Sequence, residues 1–184
     1  DQEKTCCSLS DIEDARSVAV KLGIPYYVFN FKADFKEKVI DPFIDSYRCG
    51  MTPNPCIECN RHLKFTQLHQ KARELQCDVV VTGHYARITK DEQGYHLLKG
   101  KDAAKDQSYV LYSLTQEQLA HTCFPLGEYT KEEIRRMAEE QGFFNAGKKD
   151  SQDICFIPDG DYRRFIEETT GQKSTPGNFV AQEG

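Results

Sequence analysis

An α/β layer fold built on a parallel sheet is predicted for this chain of 184 residues, and three observations predict it. Helix and strand signals alternate along the sequence, the order expected when helices pack in layers on a sheet. The run Asp78-Val79-Val80-Val81-Thr82-Gly83-His84 is short and β-branched, as in a parallel strand buried on both faces. Two capping-box sequences, Ser10-Asp11-Ile12-Glu13 and Thr130-Lys131-Glu132-Glu133, each open a stretch with apolar residues at helical spacing.

Taken in order, the first helix runs through Ala15, Val18, Ala19 and Leu22 and stops at Gly23, and a strand is expected over residues 26–31. Asp34 is expected to cap a second helix carrying Phe35, Val39, Phe43 and Tyr47 and ending near Cys49-Gly50. Pro53 and Pro55 then hold the chain extended, and Leu63, Leu68, Ala72 and Leu75 mark a helix from about residue 60 to 76. Beyond the valine run, residues 85–90 and 95–99 read as a hairpin turning at Asp91-Glu92-Gln93-Gly94. The second capping box starts a helix through Ile134, Met137 and Ala138 to Gly142, and the sequence turns polar and linker-like after Thr169.

Composition bounds the function. The net charge of −5 gives no global footprint for nucleic acid, so any RNA contact must be local, at clusters such as Arg61 with Lys64, Lys99 with Lys101 and Lys105, or Lys148 with Lys149. No apolar run approaches a membrane span and no signal peptide is recognisable, which makes the cytoplasm the expected location. The missing initiator Met and the unfinished polar end lead us to expect part of a longer protein. Eight cysteines in such a chain point to catalytic, redox or metal chemistry rather than a disulfide scaffold.

The chemistry is expected at Thr52-Pro53-Asn54-Pro55-Cys56-Ile57-Glu58-Cys59-Asn60-Arg61 and at Cys155 in Ser151-Gln152-Asp153-Ile154-Cys155-Phe156. Near a helix N-terminus, Cys59 meets unsatisfied N–H groups together with Arg61, His62 and Lys64, which favour thiolate. Three readings stand side by side: half a zinc site completed by His62 or Cys49, an iron–sulfur cluster on Cys56, Cys59 and Cys155 with one open iron, or a thiol pair that makes and breaks a disulfide. Cys6, Cys7, Cys49, Cys77 and Cys123 read as small buried or incidental thiols. Gly83 and His84 fall at the carboxyl end of the predicted parallel strand, where ligands of open α/β sheets lie. No Walker-type or dinucleotide-type glycine loop is found within these residues.

Thr52-Pro53-Asn54-Pro55, Cys59-Asn60, Lys64-Phe65, Thr82-Gly83-His84-Tyr85-Ala86-Arg87, Lys105-Asp106-Gln107-Ser108-Tyr109, Lys149-Asp150-Ser151 and Ile154-Cys155-Phe156 occur in an order that resembles the bacterial tRNA-specific 2-thiouridylases over nearly the whole chain. The resemblance implies an incomplete Rossmann-like ATP-pyrophosphatase domain over residues 1–158, of the adenine nucleotide α-hydrolase type, and the start of a small linker domain over 159–184. It implies that ATP, with Mg2+, adenylates C2 of the wobble uridine 34 of tRNA and that sulfur replaces the oxygen, giving 2-thiouridine, AMP and diphosphate. Cys155 then resembles the persulfide-bearing cysteine and Cys59 the nucleophile that resolves it through a disulfide. Gly83 matches an ATP-binding glycine, and Asn54, Pro55 and Cys56 match the loop that meets the target base. His84, Lys105, Asp106 and Gln107 match tRNA contacts. The sulfur is expected from a persulfide relay protein or a cysteine desulfurase. Two departures stand out: the family's S-G-G-x-D-S loop is not among these residues, and Cys56 replaces an Asp found in well-known members. The second keeps a [4Fe-4S]-dependent variant open. A tRNA- or nucleotide-binding module without catalysis is the alternative of a different class.

Overall fold

The computed structural model describes residues 9–148, 154–175 and 177. The expectations placed on Cys6, Cys7 and the Lys149-Asp150-Ser151 motif lie outside the described residues. The chain forms two compact units, one of residues 18–149 and one of residues 1–17 with 150–184.

Helix α1 (Leu9–Leu22) ends as expected at Gly23, whose φ of +66° only glycine adopts without cost. Its beginning differs from the prediction, because Ser10 already lies inside the helix rather than capping it. The strand expected over residues 26–31 makes no ladder, and Phe31, with φ −105° and ψ 22°, has already left the extended region. Tyr27 stacks on Phe29 and Phe29 on Phe31, with ring centroids 6.4 and 6.0 Å apart, as alternate side chains of an extended backbone do. No second strand among the described residues lies alongside to supply the hydrogen bonds.

The second helical stretch comprises α2 (Lys32–Phe35), a π-helical turn (Lys36–Ile40) and α3 (Asp41–Arg48). Asp34 does not cap it; the Asn30 carboxamide oxygen accepts from Lys32 N–H at 3.0 Å, and Asp34 accepts instead from Gln67 Nε2 at 3.2 Å. Val39, Phe43 and Ile44 are buried. Next come α4 (Pro55–Glu58), a nine-residue π-helical segment (Cys59–Gln67) and α5 (Leu68–Glu74), so this helix starts five residues earlier than predicted. The wide turn releases two carbonyls to other donors: Arg61 O accepts from the Thr66 hydroxyl at 2.7 Å and Phe65 O from Gln118 Nε2 at 2.6 Å.

Strand β1 (Val80–Val81) pairs in parallel with a later strand (Thr122–Cys123), with Val80 opposite Thr122. The predicted parallel pairing is present, but burial on both faces is not. Val80 is 6% exposed whereas Val81 is 57% exposed, so only one face of the strand is covered. The hairpin forms as predicted, β2 (Ala86–Asp91) running antiparallel to β3 (Gly94–Lys99). A 3₁₀ turn (Ser108–Val110) and α6 (Gln116–Ala120) lead into the parallel partner, now β4. Phe65, Ala86, Val110, Leu111 and Phe124 form the core between these elements. Helix α7 (Lys131–Glu140) carries the predicted capping box, with Thr130 and Glu133 bonded reciprocally. A second such box at Thr115 and Gln118 opens α6.

In the other unit, Ile157 is buried, Phe156 packs on Phe165 with centroids 5.2 Å apart, and α8 (Tyr162–Thr170) is capped by Asp161 through Arg164 N–H at 2.9 Å.

Candidate active site

The cysteine segment is fixed at its entrance by Asn54, whose side chain accepts from Cys56 N–H at 3.1 Å, and by the buried Pro55 in the first turn. Cys56 is thereby exposed and Cys59 half-buried, three residues apart on the first helical turns. Asn60 is 4% exposed and donates its amide to Cys56 O at 2.9 Å, while its Oδ1 is buried with no partner. Such an orphan acceptor inside a native fold calls for a donor from a ligand or water.

Charge around Cys59 is arranged differently from the prediction. Glu58 takes both Arg61, at 3.0 Å, and His62, at 3.1 Å, so neither is a bare cation beside the thiol. Lys64 is left. It lies five residues after Cys59, one π-helical turn on, and its ammonium approaches His84 Nε2 at 3.4 Å. An ammonium has only donors, so Nε2 must offer its lone pair, and Nδ1–H therefore donates to Thr82 Oγ1 at 2.8 Å. Burial between Phe65 and Phe124, reinforced by Lys64, lowers the His84 pKa to about 4, which keeps the ring neutral and this tautomer in place.

His84 is 6% exposed, with Lys64 against its Nε2. Gly83, immediately before it, is exposed at the carboxyl end of β1. A Cβ placed there would meet only Leu126 Cδ1 at 3.5 Å, an ordinary contact, so packing among the described residues does not require glycine at this position.

The Lys105-Asp106-Gln107 segment is built chiefly to hold its own loop. Asp106 accepts from Gly100 N–H at 2.9 Å and from the Ser108 hydroxyl at 2.8 Å. Burial pushes its carboxyl up, but these bonds outweigh that and leave it below the usual carboxylate range. Gln107 clasps Tyr85 in both directions, N–H to Tyr85 O at 2.9 Å and Oε1 from Tyr85 N–H at 3.0 Å. Lys105 is exposed.

Cys155 belongs to the other unit, half-buried in a turn closed by Ile157 N–H to Ile154 O at 2.8 Å. Among the described residues no three His, Cys, Asp or Glu side chains are gathered to hold a metal ion, and no helix is long and apolar enough to cross a membrane. A cavity of about 400 Å³ lined by Phe65, His69, Arg73, Asp78, Gln118 and His121 opens at the amino end of β1, the opposite end from Gly83. The predicted crevice and this cavity are therefore different places. His69 donates Nε2–H to Thr122 there, because the Thr122 hydroxyl is already given to Gln118 O at 2.7 Å.

A short parallel pair of strands with helices around it is the arrangement of an incomplete Rossmann-like α/β domain. The description of the tRNA methyl transferase HUP domain matches residues 1–159, and the chain belongs to that family. It is similar along its length to the tRNA-specific 2-thiouridylase MnmA of Clostridium perfringens, with 53% identity over 184 residues, covering 100% of this chain and 51% of the relative. The protein of that name from Geotalea uraniireducens is 55% identical over 181 residues, covering 98% and 48%. That of Symbiobacterium thermophilum is 54% identical over 186 residues, covering 100% and 48%. The chain spans about half the length of the curated relatives it matches.

Proposed function

We propose that this chain carries the sulfur-transfer centre of a cytoplasmic tRNA 2-thiouridylase, with residues 1–158 in its ATP-pyrophosphatase domain and 159–184 opening a linker domain. The observation that carries the reading is the Lys64 ammonium, which follows the half-buried Cys59 by one π-helical turn and approaches His84 Nε2 at 3.4 Å, next to Gly83 at the strand end. In this reading the thiol, the cation and a glycine that packing does not require serve one strand end, where an adenylated base would lie. The substrates are tRNA and ATP, with Mg2+ arriving on the nucleotide, and a persulfide relay protein or cysteine desulfurase supplies the sulfur.

The steps balance as follows. The O2 oxygen of uridine 34 attacks the α-phosphorus of ATP and diphosphate leaves. The terminal sulfur of a Cys155 persulfide attacks C2 and expels AMP, joining Cys155 to the base through two sulfurs. Cys59 thiolate attacks the Cys155 sulfur, the S–S bond breaks toward the base, and 2-thiouridine leaves with a Cys59–Cys155 disulfide that an external thiol must reduce. Gly83 leaves the backbone open to the nucleotide, and Lys64 places positive charge beside the departing phosphate. The loop of Asn54, Pro55 and Cys56 meets the target base, with Asn54 and the buried Pro55 fixing the turn that presents the exposed Cys56. Lys105 meets tRNA phosphate, with Asp106 and Gln107 shaping its loop, while His84 contributes through Lys64.

One observation favours a second reading. Cys56 and Cys59 stand on one helical turn with Cys56 exposed, a spacing suited to two ligands of a [4Fe-4S] cluster whose third would be Cys155. Bound there, a cluster would supply an open iron for sulfur. The test uses the full-length protein with ATP, tRNA and a persulfide donor. Cys155→Ser is expected to abolish 2-thiouridine in digested tRNA while diphosphate release continues. A colourless, active wild type excludes the cluster, and tRNA and ATP binding without diphosphate release marks the non-catalytic module.

A further inference from the structure

Tyr109 and Tyr112 are 61% and 64% exposed, although each directly adjoins a core residue in the chain. Val110 and Leu111 between them are buried against Phe65, Ala86 and Phe124. The 3₁₀ turn Ser108–Val110, with Leu111 N–H bonded to Ser108 O at 3.0 Å, explains the arrangement. Seating Val110 and Leu111 in the core leaves the tyrosines on either side of them outside it. The Arg61 guanidinium donates to the Tyr112 hydroxyl at 3.3 Å while held by Glu58 at 3.0 Å. Tyr112 is thereby linked to the cysteine helix, and the exposed Lys105 stands four residues before Tyr109.

We infer that Tyr109 and Tyr112 form a stacking platform for unpaired nucleobases beside the thiol centre, a site for single-stranded loop RNA. The inference rests on the tRNA reading above and names how the loop is held around the reacting base. The surroundings favour RNA over protein. Tyr112 carries the Arg61 guanidinium on its hydroxyl at 3.3 Å and the exposed Lys105 stands four residues before Tyr109, whereas the core of a protein interface is depleted in charge. Unstacked bases of RNA loops are held by Tyr faces and Arg guanidinium planes, with cations on the adjoining phosphates. An enzyme that reaches C2 of a loop uridine must open the stack around it, and exposed rings replace the stacking that is lost.

The test measures binding of the full-length protein to an anticodon stem-loop with 2-aminopurine next to uridine 34, alongside thiolation of whole tRNA. Tyr109→Ala and Tyr112→Ala should each weaken binding about tenfold, as expected when one base loses its stacking partner. The logarithmic salt slope should stay unchanged, because no phosphate contact is removed. The 2-aminopurine fluorescence quenched on wild-type binding should be restored in at least one variant. Tyr109→Phe and Tyr112→Phe should bind within about twofold of wild type, since stacking needs the ring and not the hydroxyl. Unchanged melting temperatures exclude a folding defect. Wild-type affinity in both Ala variants overturns the platform, as does an equal loss in the Phe variants. If RNA binding persists while sulfur delivery from the donor protein falls, the face belongs to a protein partner and the inference fails. A wild type that neither binds nor thiolates tRNA sinks the parent reading as well, whereas an active wild type with indifferent Tyr variants sinks the platform alone.

Discussion

The cysteine helix and the loop from Gly100 to Ser108 use similar polar residues for opposite ends. In the loop, the polar groups of Asp106 and Gln107 turn inward: Asp106 holds Gly100 and Ser108, and Gln107 holds Tyr85. Gly100 itself is required, since a Cβ there would lie 2.8 Å from Tyr85 O. The cysteine helix leaves its groups open. Asn60 Oδ1 is buried without a partner, Cys56 is exposed, and Gly83 at the adjoining strand end has room for a side chain. Residues that occur together in one family pattern therefore divide into those that make the fold and those it presents.

The sharpest way to break this division compares glycines. Gly127→Ala drives a methyl group into the Ala86 carbonyl and should cost about 3 kcal/mol or more in urea unfolding. Gly83→Ala should change stability by less than about 0.5 kcal/mol while nucleotide binding is lost. Equal destabilisation would erase the distinction.

His84 gives the next effect, through pH. Its folded pKa of about 4 lies below the ordinary 6.5, so the unfolded chain takes up a proton that the folded one refuses. The stability this provides is complete above about pH 6.5 and is lost as pH falls toward 4. The loss amounts to roughly 3 kcal/mol, and His84→Gln should remove that part of the pH dependence. A variant whose stability falls with pH as steeply as wild type contradicts the burial argument.

Asp106→Ala should cost about 2 kcal/mol by leaving the Gly100 and Ser108 donors unmet, with no change in the salt slope of tRNA binding. Lys105→Ala should do the reverse, leaving stability within about 0.5 kcal/mol and lowering the salt slope by about one contact, with Lys36→Ala as the indifferent control. An unchanged slope for Lys105→Ala would make that lysine an ordinary solvated side chain.

Local signals carried much of the architecture. The hairpin, the Gly23 stop and the Thr130 box depend on neighbours in sequence, and each is present. Residues 26–31 have a strand's composition, but a strand is completed by a neighbour that composition does not supply. The π-helical segment from Cys59 depends on distant Gln118 taking the Phe65 carbonyl, which no local pattern reveals. Two features were legible and passed over: Thr115 with Gln118 is a capping box, and Glu58 stands three and four residues before Arg61 and His62, the spacing for pairing on a helix. The thiols stood out through their motifs. The role of His84 did not, because its burial comes from Phe65 and Phe124, distant from it in the chain.

The proposed sulfur relay is tested most directly by one turnover of the full-length persulfidated protein, with ATP and tRNA and without reductant, followed by peptide mapping. The account predicts one Cys59–Cys155 disulfide for each 2-thiouridine formed, and none when ATP is omitted. Formation of 2-thiouridine with both thiols still reduced, or with the bridge joining Cys56 to Cys59, would contradict it.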